Sequence, residues 1–172
     1  VLVQIFVALT WSVVFNSIQL YVQNKLYEAS LALYLSPKLV KKFSNNKELL
    51  KPGAKKEMLT ILFTDIADFT SISEKMDPDD LCLHMNKYFQ IAGQKCIHPT
   101  DGTIVKYIGD AIFAFWNAPD LQTDHQVRAC ETALRFRELP PQYMNGRLLV
   151  TRIGLHTGEA NVGNFGSTVR VD

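Results

Sequence analysis

Cysteine is scarce in this sequence: Cys82, Cys96 and Cys130 are the three among 172 residues, and no CxxC pair occurs. An odd, widely spaced set excludes a disulfide framework and offers no zinc spacing, so a reducing compartment fits. Excess charge of one sign is also missing, with 18 Lys and Arg against 17 Asp and Glu. Nucleic acid is therefore not an expected partner, because binding its phosphates takes a strong cationic surplus on one face. The four histidines, His84, His98, His125 and His156, follow no metal-ligand spacing and read as ordinary core or surface residues. From Val1 to Asn24 there is no charged residue at all.

That uncharged stretch, "VLVQIFVALTWSVVFNSIQLYVQN", is long enough as a helix to cross a hydrocarbon core of roughly 30 Å. Residues 1–24 are expected to form a transmembrane helix. Its polar residues, Gln4, Thr10, Ser12, Asn16, Ser17 and Gln19, suggest packing against other membrane helices. A cleaved signal peptide would carry a basic start and an initiator methionine, and both are missing. The missing methionine implies a chain that begins inside a longer protein. Beyond the helix, Lys25, Lys38, Lys41, Lys42, Lys47, Lys51, Lys55 and Lys56 outnumber Glu28 and Glu48, which places the remainder of the chain on the cytoplasmic side of the cell membrane. Residues 25–57 then read as a cytoplasmic helical linker. Leu26, Ala29 and Leu33 make one stripe, and Ser36 with Pro37 signals a fresh helix start. A solvated linker and a dimerising signal helix are equally open there, since the stripe is too short for a sustained heptad. Pro52 and Gly53 close the segment.

Past Glu57 the pattern becomes globular, and residues 58–172 are expected to form the catalytic or binding domain. Met58 to Asp65 is an apolar run of strand length. A helix starts in the acidic "DPDD" and turns Leu81, Met85, Tyr88 or Phe89, Ala92 and Cys96 inward. "GTIVKYIGDAIFAFW" gives two strands folded back at Ile108 to Asp110, with Gly109 supplying the turn's unusual backbone angles. The second helix, "TDHQVRACETALRFREL", is expected to bury Val127, Cys130, Ala133 or Leu134, and Phe136. "RLLVTRIGLHTG" comes next as a strand, and "EANVGNFGS" begins another. This order predicts an α+β fold of the ferredoxin-like βαββαβ kind, an antiparallel sheet with helices on one face.

In that fold the first strand lies beside the hairpin, so Asp65 at the strand end and Asp110 at the hairpin tip can meet. Singly, each has a plainer reading as a helix cap or a turn residue. Together, two carboxylates repel unless a cation lies between them, and hard divalent ions take such oxygen ligands. The turn in "ADFTSIS" leaves the amides of Phe69, Thr70 and Ser71 at a helix start, where a phosphate can bind.

The three ordered segments "LFTDIADFTSISE", "DGTIVKYIGDAIFAFWNAP" and "RIGLHTGEANVGNFGS" resemble the catalytic domain of the class III adenylyl and guanylyl cyclases, from Leu59 to the end of the chain. The preceding segments are similar to the membrane exit and linker of bacterial receptor-type members. The resemblance implies the palm of these cyclases, with Asp65, Asp110 and the Ile66 carbonyl holding two Mg²⁺ or Mn²⁺ ions. It makes Arg152 the triphosphate contact, places phosphates at the turn of Phe69, Thr70 and Ser71 beside Gly109, and makes Lys106 the reader of the purine. Lysine at that position accompanies ATP, because it can donate to adenine N1, whereas guanine calls for a carboxylate. The implied activity is adenylate cyclase, ATP to cyclic AMP in a homodimer, with a catalytically silent nucleotide-binding module as the alternative. A diguanylate cyclase is disfavoured, since no GGDEF-type hairpin is present. Lys106 and Asp110 stand on one hairpin, so a head-to-tail dimer taking metals from one chain and lysine from the other is expected. The family's second purine contact and its transition-state Asn and Arg would come after Asp172, so little turnover is expected of these residues alone.

Overall fold

The computed structural model describes residues 1–32 and 53–164, and the chain divides into two compact units, Val1–Leu49 and Leu50–Asp172. In the first, helix α1 (Leu2–Ala32) runs unbroken through the expected membrane segment and on into the predicted linker. Residues 2–30 are long and apolar enough to cross a membrane by length and composition, and no side chain in that window is buried. The helix restart at Ser36 and Pro37 lies outside the described residues.

The second unit is built on strand β1 (Gly53–Ile66), which pairs antiparallel with β3 (Ala111–Trp116) on one side and β6 (Thr151–Asn164) on the other. Strand β2 (Thr103–Ile108) completes a four-stranded sheet in the order β2-β3-β1-β6. Helices α2 (Phe69–Ser73), α3 (Pro78–Ile91) and α4 (His125–Glu138) join these strands in sequence. A short separate hairpin, β4 (Tyr143–Met144) with β5 (Arg147–Leu148), precedes β6. The βαββαβ order and the antiparallel sheet agree with the sequence reading.

One face of the sheet carries the core. Leu62 and Ile66 of β1, Ile112, Ala114 and Trp116 of β3, Tyr88 of α3 and Ala129 and Phe136 of α4 form a single buried cluster. Alternation along β1 sends Phe63 and Asp65 to the opposite face, where Phe63 remains exposed. Helix α3 starts as its sequence predicts: the Asp77 carboxylate accepts the Asp79 amide at 2.9 Å, and Pro78 opens the helix. Its register continues through a π-type turn, Ala92–Ile97, burying Cys96.

Three expectations need correction. Strand β1 begins at Gly53, inside the residues read as linker. Lys55, Lys56 and Glu57 pair with Val162, Asn161 and Ala160, and Lys56 also meets Glu159 at 2.5 Å. Both edges of this ribbon are exposed, so no apolar alternation marks it in the sequence. The expected strand "RLLVTRIGLHTG" is broken before Thr151, and the separate strand expected at "EANVGNFGS" is the continuation of β6 to Asn164. Helix α4 buries Phe136 as read, but beside it His125, Ala129 and Thr132 point inward, while Val127, Leu134 and Cys130 are exposed. Two buried polar residues caused the misreading, and both have partners. His125 Nδ1 lies 2.7 Å from Thr60 Oγ1, and Thr132 Oγ1 lies 2.6 Å from Thr100 Oγ1.

Candidate active site

Strand β1 delivers Asp65 and Ile66 to the end of the sheet, and both neighbouring strands contribute there. The β2–β3 connection is two residues long, Gly109 and Asp110, and Gly109 takes φ 63. That left-handed conformation suits glycine, which has no Cβ to clash. The tight turn swings Asp110 back over β1, where its Oδ2 accepts the Ile66 amide at 2.7 Å. Asp110 is thus fixed beside the residue after Asp65. Next to it, the Thr64 hydroxyl accepts the Ile112 amide at 3.0 Å and ties the two strands below the turn.

From the other side, Arg152 is the register partner of Asp65 in the β1–β6 ladder. Its guanidinium donates to the Asp65 carboxylate, with the side chains 64% and 48% exposed. At that exposure the pair contributes little to stability, on the order of 0–1 kcal/mol. It does show that the Asp65 carboxylate already sits against a cation. The donor set of two carboxylates and the Ile66 carbonyl is made of hard oxygens, which fits a hard divalent ion. Among the described residues no cluster of three His, Cys, Asp or Glu could hold a metal, so such an ion would rely on the main-chain carbonyl, substrate or water for its remaining ligands.

Beyond Ile66 the chain turns sharply. Ala67 donates to the Val150 carbonyl at 2.9 Å, and Asp68 takes φ 57 without capping the helix through its side chain. Helix α2 begins here, its first backbone bond running from Ile72 to the Asp68 carbonyl. The amides of Phe69, Thr70 and Ser71 precede that bond, as expected from the sequence.

Lys106 reaches the open face of the sheet through an irregularity in β2. Thr103 and Ile104 pair with Phe115 and Ala114, but the next pair is Lys106 with Phe113, which leaves Val105 as an extra residue. Without that bulge, strict alternation would put Lys106 on the same face as Ile104, which packs against the core. With it, Lys106, Phe113, Phe63 and Gly154 form one row across the sheet. Phe63 and Phe113 stack at 4.5 Å with planes 7° apart. Lys106 is therefore two strands, about 10 Å, from β1, whereas Asp65, Asp110 and Arg152 gather at the strand ends.

Sequence reasoning missed a supporting contact. Tyr88 of α3, 4% exposed, lies 3.1 Å by its hydroxyl from Thr151 Oγ1, the residue before Arg152. Burial raises the Tyr88 phenol above its usual value, so it stays protonated. Burial likewise pushes the Cys96 thiol up to about 11, which makes it a packing residue and not a nucleophile.

An antiparallel ferredoxin-like sheet with two aspartates at adjacent strand ends defines a palm domain, and the family comparison narrows that class. The profile of the Adenylate and Guanylate cyclase catalytic domain matches residues 52–171, and the chain belongs to this family. It is 34% identical over 148 residues to Adenylate cyclase 1 of Rhizobium meliloti, an alignment covering 83% of this chain and 22% of that protein. The chain thus spans about a fifth of that relative's length. Among solved structures, that of the guanylyl cyclase Cya2 is 36% identical with a TM-score of 0.61, covering 69% of this chain and 63% of the other. A bacterial light-regulated adenylyl cyclase shares the fold, with a TM-score of 0.72 at 23% identity over 90% of this chain and 45% of that one.

Proposed function

We propose that the domain beginning at Gly53 is an adenylate cyclase unit. It converts ATP to 3′,5′-cyclic AMP and pyrophosphate in a homodimer, with α1 as its membrane anchor and the catalytic domain in the cytoplasm. The observation that carries this reading is the pair of contacts at the end of β1, Arg152 on the Asp65 carboxylate and Asp110 on the amide of the next residue, Ile66. In the reaction the ribose 3′-oxygen bonds to the α-phosphorus, its proton leaves, and the bond to pyrophosphate breaks. Two Mg²⁺ or Mn²⁺ ions, held by Asp65, Asp110 and the Ile66 carbonyl, would neutralise the phosphates and lower the pKa of the 3′-hydroxyl. Arg152 adds a fixed positive charge for the triphosphate. The amides of Phe69, Thr70 and Ser71 offer donors to its oxygens, and Gly109 lies in the tight turn that carries Asp110.

Lys106 is the proposed base reader. An ammonium has donors only and suits adenine N1, an acceptor, while the same edge of guanine presents donors. Relatives bearing both activities in their names, Adenylate cyclase 1 of Rhizobium meliloti and the guanylyl cyclase Cya2, make this choice the point to test. In the full-length protein, Lys106→Glu should lower kcat/KM for ATP about tenfold or more, since a carboxylate facing an acceptor costs on the order of 1–3 kcal/mol. The measurement is cyclic nucleotide formed from ATP and from GTP with Mn²⁺. An unchanged ratio of the two kcat/KM values would remove Lys106 from the base.

A further inference from the structure

Helix α1 carries a polar stripe that the proposed chemistry does not use. Gln4, Ser12, Asn16, Gln19 and Gln23 succeed one another at intervals of eight, four, three and four residues, so at 3.6 residues per turn they fall within about 120° of the helix circumference. Thr10 and Ser17 lie on the opposite side. Those two satisfy themselves: Thr10 Oγ1 donates to the Phe6 and Val7 carbonyls at 3.0 and 2.9 Å, and Ser17 Oγ to that of Val13 at 2.8 Å. Their polarity therefore asks for no partner. A glutamine or asparagine amide carries two donors and an acceptor, more than one local hydrogen bond satisfies. Among the described residues, only Gln23 of the stripe's four amides finds an acceptor, the Tyr27 hydroxyl at 3.2 Å.

We propose that α1 pairs in parallel with α1 of a second copy of this chain along the stripe Gln4, Ser12, Asn16, Gln19 and Gln23. An amide carries donors and acceptors together, so the same residue at the same depth in a second helix satisfies it. Left in hydrocarbon, each amide would lose hydrogen bonds to water without replacement. A second copy presents the same stripe at the same depth, which makes it a matched surface for these amides. Outside the stripe and apart from Thr10 and Ser17, the residues from Val1 to Val22 are apolar or aromatic. Parallel pairing also agrees with a homodimer whose two catalytic domains lie on one side of the membrane. The inference rests on the membrane reading of α1 but not on catalysis.

The test uses the full chain with Cys82→Ser, Cys96→Ala and Cys130→Ser, reconstituted in phosphatidylcholine vesicles. Single cysteines are placed in turn from Ala8 to Gln19, and copper phenanthroline oxidation is monitored by non-reducing electrophoresis. Disulfide dimer should peak at Ala8, Ser12 and Gln19, and be several-fold lower at Thr10, Val14 and Ser17. In the Ser12→Cys chain, adding Asn16→Leu and Gln19→Leu should cut the yield about tenfold, because the interhelical hydrogen bonds of both amides are lost. A flat profile, a maximum on the Thr10 and Ser17 side, or a yield indifferent to the leucines overturns the stripe. Extraction of the chain by alkaline carbonate overturns the membrane reading together with it, whereas carbonate resistance with a flat profile overturns the stripe alone.

Discussion

Asp110 has one observed contact and one proposed duty, and substitutions can tell them apart. Its Oδ2 accepts the Ile66 amide at 2.7 Å, and Ile66 is 1% exposed, so that amide has no water to turn to. Asp110→Asn keeps an acceptor there through the amide oxygen but loses the charge of the proposed metal ligand. It should abolish metal-dependent turnover while thermal unfolding stays near that of the unchanged protein. Asp110→Ala should lose turnover too, and in addition about 1–3 kcal/mol of stability, because the buried donor is left unpaired. Urea unfolding of the two variants side by side checks this; equal stability would show that the hydrogen bond contributes nothing. The two aspartates were legible in the sequence because each ends an apolar run or sits in a glycine turn. The ion pair of Asp65 with Arg152 was not, because it depends on a register across 87 residues that no local pattern encodes.

The elements show where periodicity informs and where it misleads. Helix α3 was readable from its acidic cap and its apolar stripe, since nothing polar interrupts the buried face. Helix α4 was misread because His125 and Thr132 are inside, satisfied by Thr60 and Thr100, while Val127 is 68% exposed. Strand β2 hides its bulge in the same way: Val105 looks like one more apolar residue, yet it shifts the register that brings Lys106 to the open face. The start of β2 has a packing constraint as well. A Cβ at Gly102 would come within 2.6 Å of Ile97 Cγ2 and 2.7 Å of Trp116 Cζ2. Trp116 is fully buried and donates from Nε1 to the Thr100 carbonyl at 3.0 Å, so it cannot step aside without losing that bond. Gly102→Ala should therefore cost about 1–3 kcal/mol in urea unfolding, and a loss below roughly 0.5 kcal/mol, the range of a neutral surface change, would contradict the close packing.

At the scale of the whole molecule, the proposed adenylate cyclase would build each active site from two chains. Asp65, Asp110 and Arg152 cluster at the strand ends, whereas Lys106 stands two strands from β1 beyond the Phe63 and Phe113 stack. A head-to-tail dimer lets one chain hold the metals and the other read the base. The most direct measurement mixes two impaired variants of the full-length protein, Lys106→Ala and Asp110→Asn. Cyclic AMP formation from ATP and Mn²⁺ is assayed before and after mixing. Random exchange makes half the dimers mixed, and each mixed dimer has one site with both intact metal ligands and an intact lysine, so about a quarter of the unmodified activity should return. Activity that stays at the level of the separate variants, with mixed dimers demonstrated by affinity tags, would contradict the shared site.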